Sequence, residues 1–104
     1  MSLPDAITYD GKKIAVLTAT GPGSDVSVGA GAAADVDLTI PASYFVVKKI
    51  LGLTSVSGLP DGLAIAGVSY PDLSTVRVRV LNTTTAAITV SAGSVTASVQ
   101  VLAV

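Results

Sequence analysis

Thr75-Val76-Arg77-Val78-Arg79-Val80-Leu81-Asn82 alternates without a fault, with Val76, Val78 and Val80 on one side and Arg77 and Arg79 on the other. A period of two is that of a pleated strand, so the stretch is a β-strand with a valine face turned inward and a guanidinium face turned outward. Its register is strongly specified. A slip by one residue would bury both arginines and expose three valines, each worth about 1.5–3 kcal/mol when buried.

The flanking sequence repeats the theme. Asp35-Val36-Asp37-Leu38-Thr39-Ile40 alternates in the same way, with Val36, Leu38 and Ile40 inward, and Pro41 stops it. Ser94 to Val104 places Val95, Ala97, Val99, Val101 and Ala103 on one face. Ile14 to Thr20 is apolar on both faces, so both faces are expected to be covered. Val26 and Val28 make a short strand, Ala86 to Val90 another, and Leu63 to Tyr70 a strand that Gly67 marks for a bulge. In Tyr44 to Leu53 helix and strand compete, and the β-branched content and Gly52 favour strand.

Turns fall at Asp10-Gly11, Gly21-Pro22-Gly23-Ser24-Asp25, Gly29 to Ala32, Ser57 to Gly62, Pro71-Asp72 and Ala92-Gly93. Residues 1–10 read as an extended arm or a first short edge strand, and 11–104 as a single domain. About eight short strands at intervals of roughly 8–12 residues give an all-β antiparallel sandwich, jelly-roll-like in kind.

Composition sets the function classes. The 104 residues are 50% hydrophobic, 12% charged and 4% aromatic, and mean hydropathy is +0.73. Soluble domains average roughly 25% charged residues, so this surface is poor in charge, and its surplus apolar area is expected to be covered by partner chains. No apolar run approaches the roughly 18 residues that cross a bilayer, and Met1 to Asp10 lacks the order of a secretory signal. A net charge of −1 gives no basic field for nucleic acid.

The chain has neither cysteine nor histidine, which removes thiolate ligands, Cys nucleophiles and the commonest general base. A serine nucleophile would need a lysine base, and no Ser-x-x-Lys spacing occurs. Asp35 and Asp37 share an outward face about 7 Å apart, too few oxygens for a calcium site, so they read as solubilising edge charges. Gly29-Ala30-Gly31 lacks the remainder of a dinucleotide loop. Asn82-Thr83-Thr84 fits the glycosylation acceptor pattern but reads as an Asx turn. Arg77 and Arg79 are the best physical candidates for a binding role: their forks can reach carboxylates of a neighbouring chain, or be held by Asp35 and Asp37 of the same chain. No enzyme and no cofactor is expected.

Three stretches in order, Val28 to Pro41, Gly58-Leu59-Pro60-Asp61-Gly62-Leu63 and Thr75 to Thr84 followed by Ala86-Ala87, carry a family resemblance. From about Ser27 onward the chain resembles small phage virion jelly-roll proteins, the capsid decoration or cement group. The resemblance covers about three quarters of the chain. After Pro41 the sequence departs from that pattern, reading Ala42-Ser43-Tyr44-Phe45 with Lys48-Lys49. The resemblance implies a non-enzymatic protein of the phage head surface that binds the major capsid protein and copies of itself, as a trimer, without membrane or nucleic acid. Contacts to capsid or sister subunits are then expected at Leu3, Pro4, Ile7, Tyr9, Arg77 and Arg79. The alternative is a receptor- or carbohydrate-binding module of a fibre or tail, for which only Tyr9, Tyr44, Phe45 and Tyr70 offer aromatic platforms.

Overall fold

The structure, a computed structural model, describes residues 7–9, 12–41 and 47–103, and of Ile7–Tyr9, Lys12, Lys13 and Lys48 the backbone alone. Among the described residues there are nine strands and no helix: β1 (Ile7–Tyr9), β2 (Lys12–Gly21), β3 (Val26–Val28), β4 (Ala33–Thr39), β5 (Val47–Ser57), β6 (Leu63–Asp72), β7 (Thr75–Asn82), β8 (Ile88–Val90) and β9 (Val95–Ala103). The all-β sandwich expected from the alternation is what forms. One large antiparallel sheet runs β5-β9-β2-β4-β7-β6 with β1 on β2, and β3 and β8 make a second, two-stranded sheet. Sequence neighbours are seldom sheet neighbours, which is the mark of crossover connections.

The sheet has two halves. β2 and β9 pair along their full length from Lys13↔Ala103 to Gly21↔Val95, whereas β2 meets β4 only at Thr20↔Thr39. The chain can turn over at this handover because Gly21 has no side chain: a Cβ there would run into the backbone carbonyl oxygen of Asp37. Folding over brings the two valine-rich faces together. Val95, Ala97, Val99, Val101 and Ala103 of β9 share one core with Val36 and Leu38 of β4 and Val76, Val78 and Val80 of β7. The body is elongated, 50 × 21 × 20 Å.

Some sequence expectations need correction. β2 is covered on one face only: Ala15 and Ala19 are buried but Val16 is 45% exposed, because no described layer lies on that side. The turn assigned to Pro71-Asp72 falls two residues later. β6 continues through Asp72, its edge position tolerating a proline without an N–H, and the reversal occurs at Leu73-Ser74. There the Asp72 carboxylate accepts from the backbone N–H and the hydroxyl of Ser74, both at 2.9 Å. The Ser74 N–H, aided by hydroxyl bonds from Ser74 and Thr75, holds the Asp72 carboxyl below its ordinary pKa.

Other expectations stand. β5 is a strand, and the register of β6 against β7 shifts between Ile65 and Gly67, the bulge that Gly67 signalled. Residues 42–46, the part of the helix-or-strand segment with Tyr44 and Phe45, lie outside the described residues.

Candidate functional site

Two features of the exterior stand out, a charged ladder on β4 and β7 and an uncharged edge along β6. In the β4–β7 register Asp37 lies opposite Arg77 and Asp35 opposite Arg79. Since Val36, Val76 and Val78 are inward, strand alternation puts all four charges on the outer face. Arg77 grips Asp37 with two bonds, Nε to Oδ1 at 2.9 Å and Nη2 to Oδ2 at 3.2 Å, while Arg79 donates one bond, Nη1 to Asp35 Oδ1 at 3.2 Å. The bond and the charge of Asp37 raise the Arg77 pKa above its ordinary value.

The intrachain alternative is thus the one realised for both arginines. The ladder neutralises itself, so it offers a partner shape and hydrogen bonds rather than net charge. Its aspartate oxygens are spent on guanidinium groups, and no cluster of three or more metal-ligating side chains occurs among the described residues.

The other residues assigned to contact are placed less completely. Leu3 and Pro4 lie outside the described residues. Ile7 and Tyr9 belong to β1, whose backbone pairs Ile7↔Ile14 and Tyr9↔Lys12. The structure therefore brings Arg77 and Arg79 together on one face and sets Ile7 and Tyr9 on a different strand, paired to β2.

Along β6 the sequence pointed to Tyr70 alone, as an aromatic platform, and not to its apolar neighbours. Ile65 (47%), Val68 (38%), Tyr70 (38%), Leu73 (49%) and Leu81 (39%) are five of the seven large apolar side chains exposed among the described residues. Ile65 and Val68 pair with Val80 and Val78 and so lie on the core-facing side of the sheet, yet they stay open because β6 is the last strand of its half. The sequence held one signal: from Leu63 to Tyr70 no side chain is charged.

The one buried polar side chain among the described residues, Asn82, has a structural task. Its Nδ2 donates to the carbonyls of Val28 and Ala86 at 2.9 and 2.8 Å, and its Oδ1 accepts from the N–H and hydroxyl of Thr84 at 2.8 and 2.6 Å. The bond from the Thr84 N–H is the Asx turn expected at this site. It ties the end of β7 to β3 and to the approach to β8. No known protein family, curated protein or solved structure matches the chain.

Proposed function

We propose that this chain is a non-enzymatic structural protein of a phage virion, a decoration or cement protein that lies on the outer surface of the head with copies of itself and stabilises it against internal pressure. The observation that carries the reading is the exterior: an elongated body with exposed apolar side chains along β6 and a self-neutralised ladder on the neighbouring face. Such a surface is suited to holding by contact area rather than by charge or catalysis. The order of motifs from Val28 to Thr84 supports the same assignment through its resemblance to phage decoration proteins. In this reading residues 1–10, with Leu3, Pro4, Ile7 and Tyr9, reach the major capsid protein, and the copies on the head form trimers.

The test is direct. Purified chain is mixed with heads of the phage that carries it and the particles are imaged by cryo-electron microscopy. Hundreds of copies at regular lattice positions, and heads that survive heating better than bare ones, are expected; deletion of residues 1–10 reduces occupancy. Bare heads after incubation with excess chain would sink the proposal, and a handful of copies at one vertex or on a fibre would replace it with the fibre or tail assignment.

A further inference from the structure

The large sheet ends in two strands that pair on one side only, β5 and β6, and the two are unlike. β5 carries Lys48 and Lys49 and breaks register with β9 three times, between Val47 and Lys49, Ile50 and Gly52, and Leu53 and Ser55. Charges and bulges are the usual defence of an edge against pairing with another chain. β6 lacks the charges. Leu63 to Tyr70 is uncharged; its register against β7 shifts between Ile65 and Gly67 and again between Ser69 and Asp72, and the first chemical obstacles are Pro71, which has no N–H, and the Asp72 carboxylate.

We infer that the free edge of β6 pairs antiparallel with β6 of a second copy about a twofold axis, burying Ile65, Val68 and Tyr70 of both chains. Three observations commit the edge to a second copy. The strip is neutral, so like meets like without charge repulsion, and a strand that pairs antiparallel with itself needs no second complementary surface. Apolar exposure is concentrated here, with five of the seven exposed large apolar side chains on β6, its turn and adjoining Leu81.

The strip is also continuous. Eight residues at about 3.4 Å make an unpaired edge roughly 27 Å long, whose outward N–H and C=O groups a second antiparallel strand would satisfy. The middle of the strip is Ala66-Gly67, where β6 bulges against β7; both copies carry the bulge at the axis, so it does not put them out of step. The contact specifies a twofold pair for the free chain in solution, distinct from the trimeric arrangement proposed for copies on the head.

The experiment is sedimentation equilibrium of the full chain, without heads, over a wide concentration range. A lysine at the axis would face its own copy, so Ala66→Lys, at an exposed position, is expected to weaken the dimer at least about tenfold, since facing like charges cost several kcal/mol. Ala64→Lys, also exposed, sets its ammonium group opposite Ser69 of the second copy; it is expected to weaken the dimer by placing a charge in the neutral strip, and carries the test if Ala66→Lys does not fold. Val16→Lys, at an exposed apolar site on the other half, leaves the dimer intact.

Far-ultraviolet circular dichroism monitors folding of each variant. A chain that stays monomeric at millimolar concentration overturns the inference. So does an oligomer that ignores lysine at positions 64 and 66, or one that Val16→Lys dissociates as readily. A dimer with no affinity for heads would uphold this contact and sink the proposed function, so the two fail separately.

Discussion

Tyr70 Oη accepts the backbone N–H of Leu53 at 3.0 Å, so the two terminal strands of one sheet, β6 and β5, are tied by a side chain where no strand ladder joins them. The bond closes the open side of the sandwich at one point. Tyr70→Phe keeps the ring and removes the acceptor. The expected loss is small, about 0.5–1 kcal/mol, because water reaches this exposed site. Its local signature is sharper: amide exchange at Leu53 accelerates while the β9 amides facing β2 keep their protection. Unchanged exchange at Leu53 would remove the tie from the fold.

The Arg77–Asp37 pair should behave as a screened surface pair despite its two-bond geometry. Side-chain exposures of 41% and 48% leave both groups in water. A double-mutant cycle with Arg77→Ala and Asp37→Ala should give a coupling that is a small part of the total stability and shrinks in 1 M salt. The Arg79–Asp35 cycle should give less, since Arg79 is 57% exposed and makes one bond. Coupling that persists undiminished in 1 M salt in either cycle would contradict this.

Asn82→Ala is the severe polar substitution. It leaves the carbonyls of Val28 and Ala86 and the N–H of Thr84 without their partner in a site where Asn82 itself is 0% exposed. Stranded buried groups of this kind cost about 1–3 kcal/mol each, partly offset by water at the rim, so a total near 3 kcal/mol is expected. Thermal denaturation reads it as a Tm lower by about 10 °C or more. A drop under about 3 °C would show that the network is dispensable.

Two glycines, one beside each half of the sheet, should answer an alanine oppositely. Gly58 has φ +90° and a Cβ there would enter the carbonyl oxygen of Ser94, so Gly58→Ala should cost about 3 kcal/mol or more. Gly67 has no atom within 4 Å of such a Cβ. Gly67→Ala should be neutral or stabilising by about 0.5 kcal/mol, through the reduced freedom of the unfolded chain. Equal Tm shifts for the two variants would contradict the backbone assignment at Gly58.

Asp72 carries a pH dependence of known sign. Its folded pKa lies below the ordinary 3.8, chiefly through the Ser74 N–H, so the folded chain binds fewer protons than the unfolded one in that range. Its contribution to stability is complete above the unfolded value and is lost as pH falls through the folded one. Nuclear magnetic resonance titration should place its midpoint below those of free aspartates, and Asp72→Asn should remove that part of the acid sensitivity. A midpoint at or above the ordinary value would contradict the Asx-type cap.

Much of this could be read locally. The Val-Arg-Val-Arg-Val alternation placed Val76, Val78 and Val80 at 0% exposure, and the five inward residues named for the final strand are all buried. Period-two patterning reports directly on which face meets water, and no distant information is needed. Asn82-Thr83-Thr84 likewise declared its Asx turn, because the bond closes within two residues.

The same patterning was silent wherever the outcome depended on which strands become neighbours. Ile14 to Thr20 looked covered on both faces, yet Val16 lies open because no layer among the described residues lies on that side. Arg77 and Arg79 looked equally ready for a partner chain or for Asp37 and Asp35, and only the β4–β7 register decided it. Ile65 and Val68 lie on the core-facing side of β6 and are surface all the same, because β6 is last in the sheet. Strand identity, face and most turns were legible in the residues, the reversal after β6 excepted, because sterics and solvation fix them within a few residues. Tertiary structure alone decided sheet order, and with it which apolar faces were left uncovered, because pairing between distant strands is set by the shared core and not by any one strand's pattern.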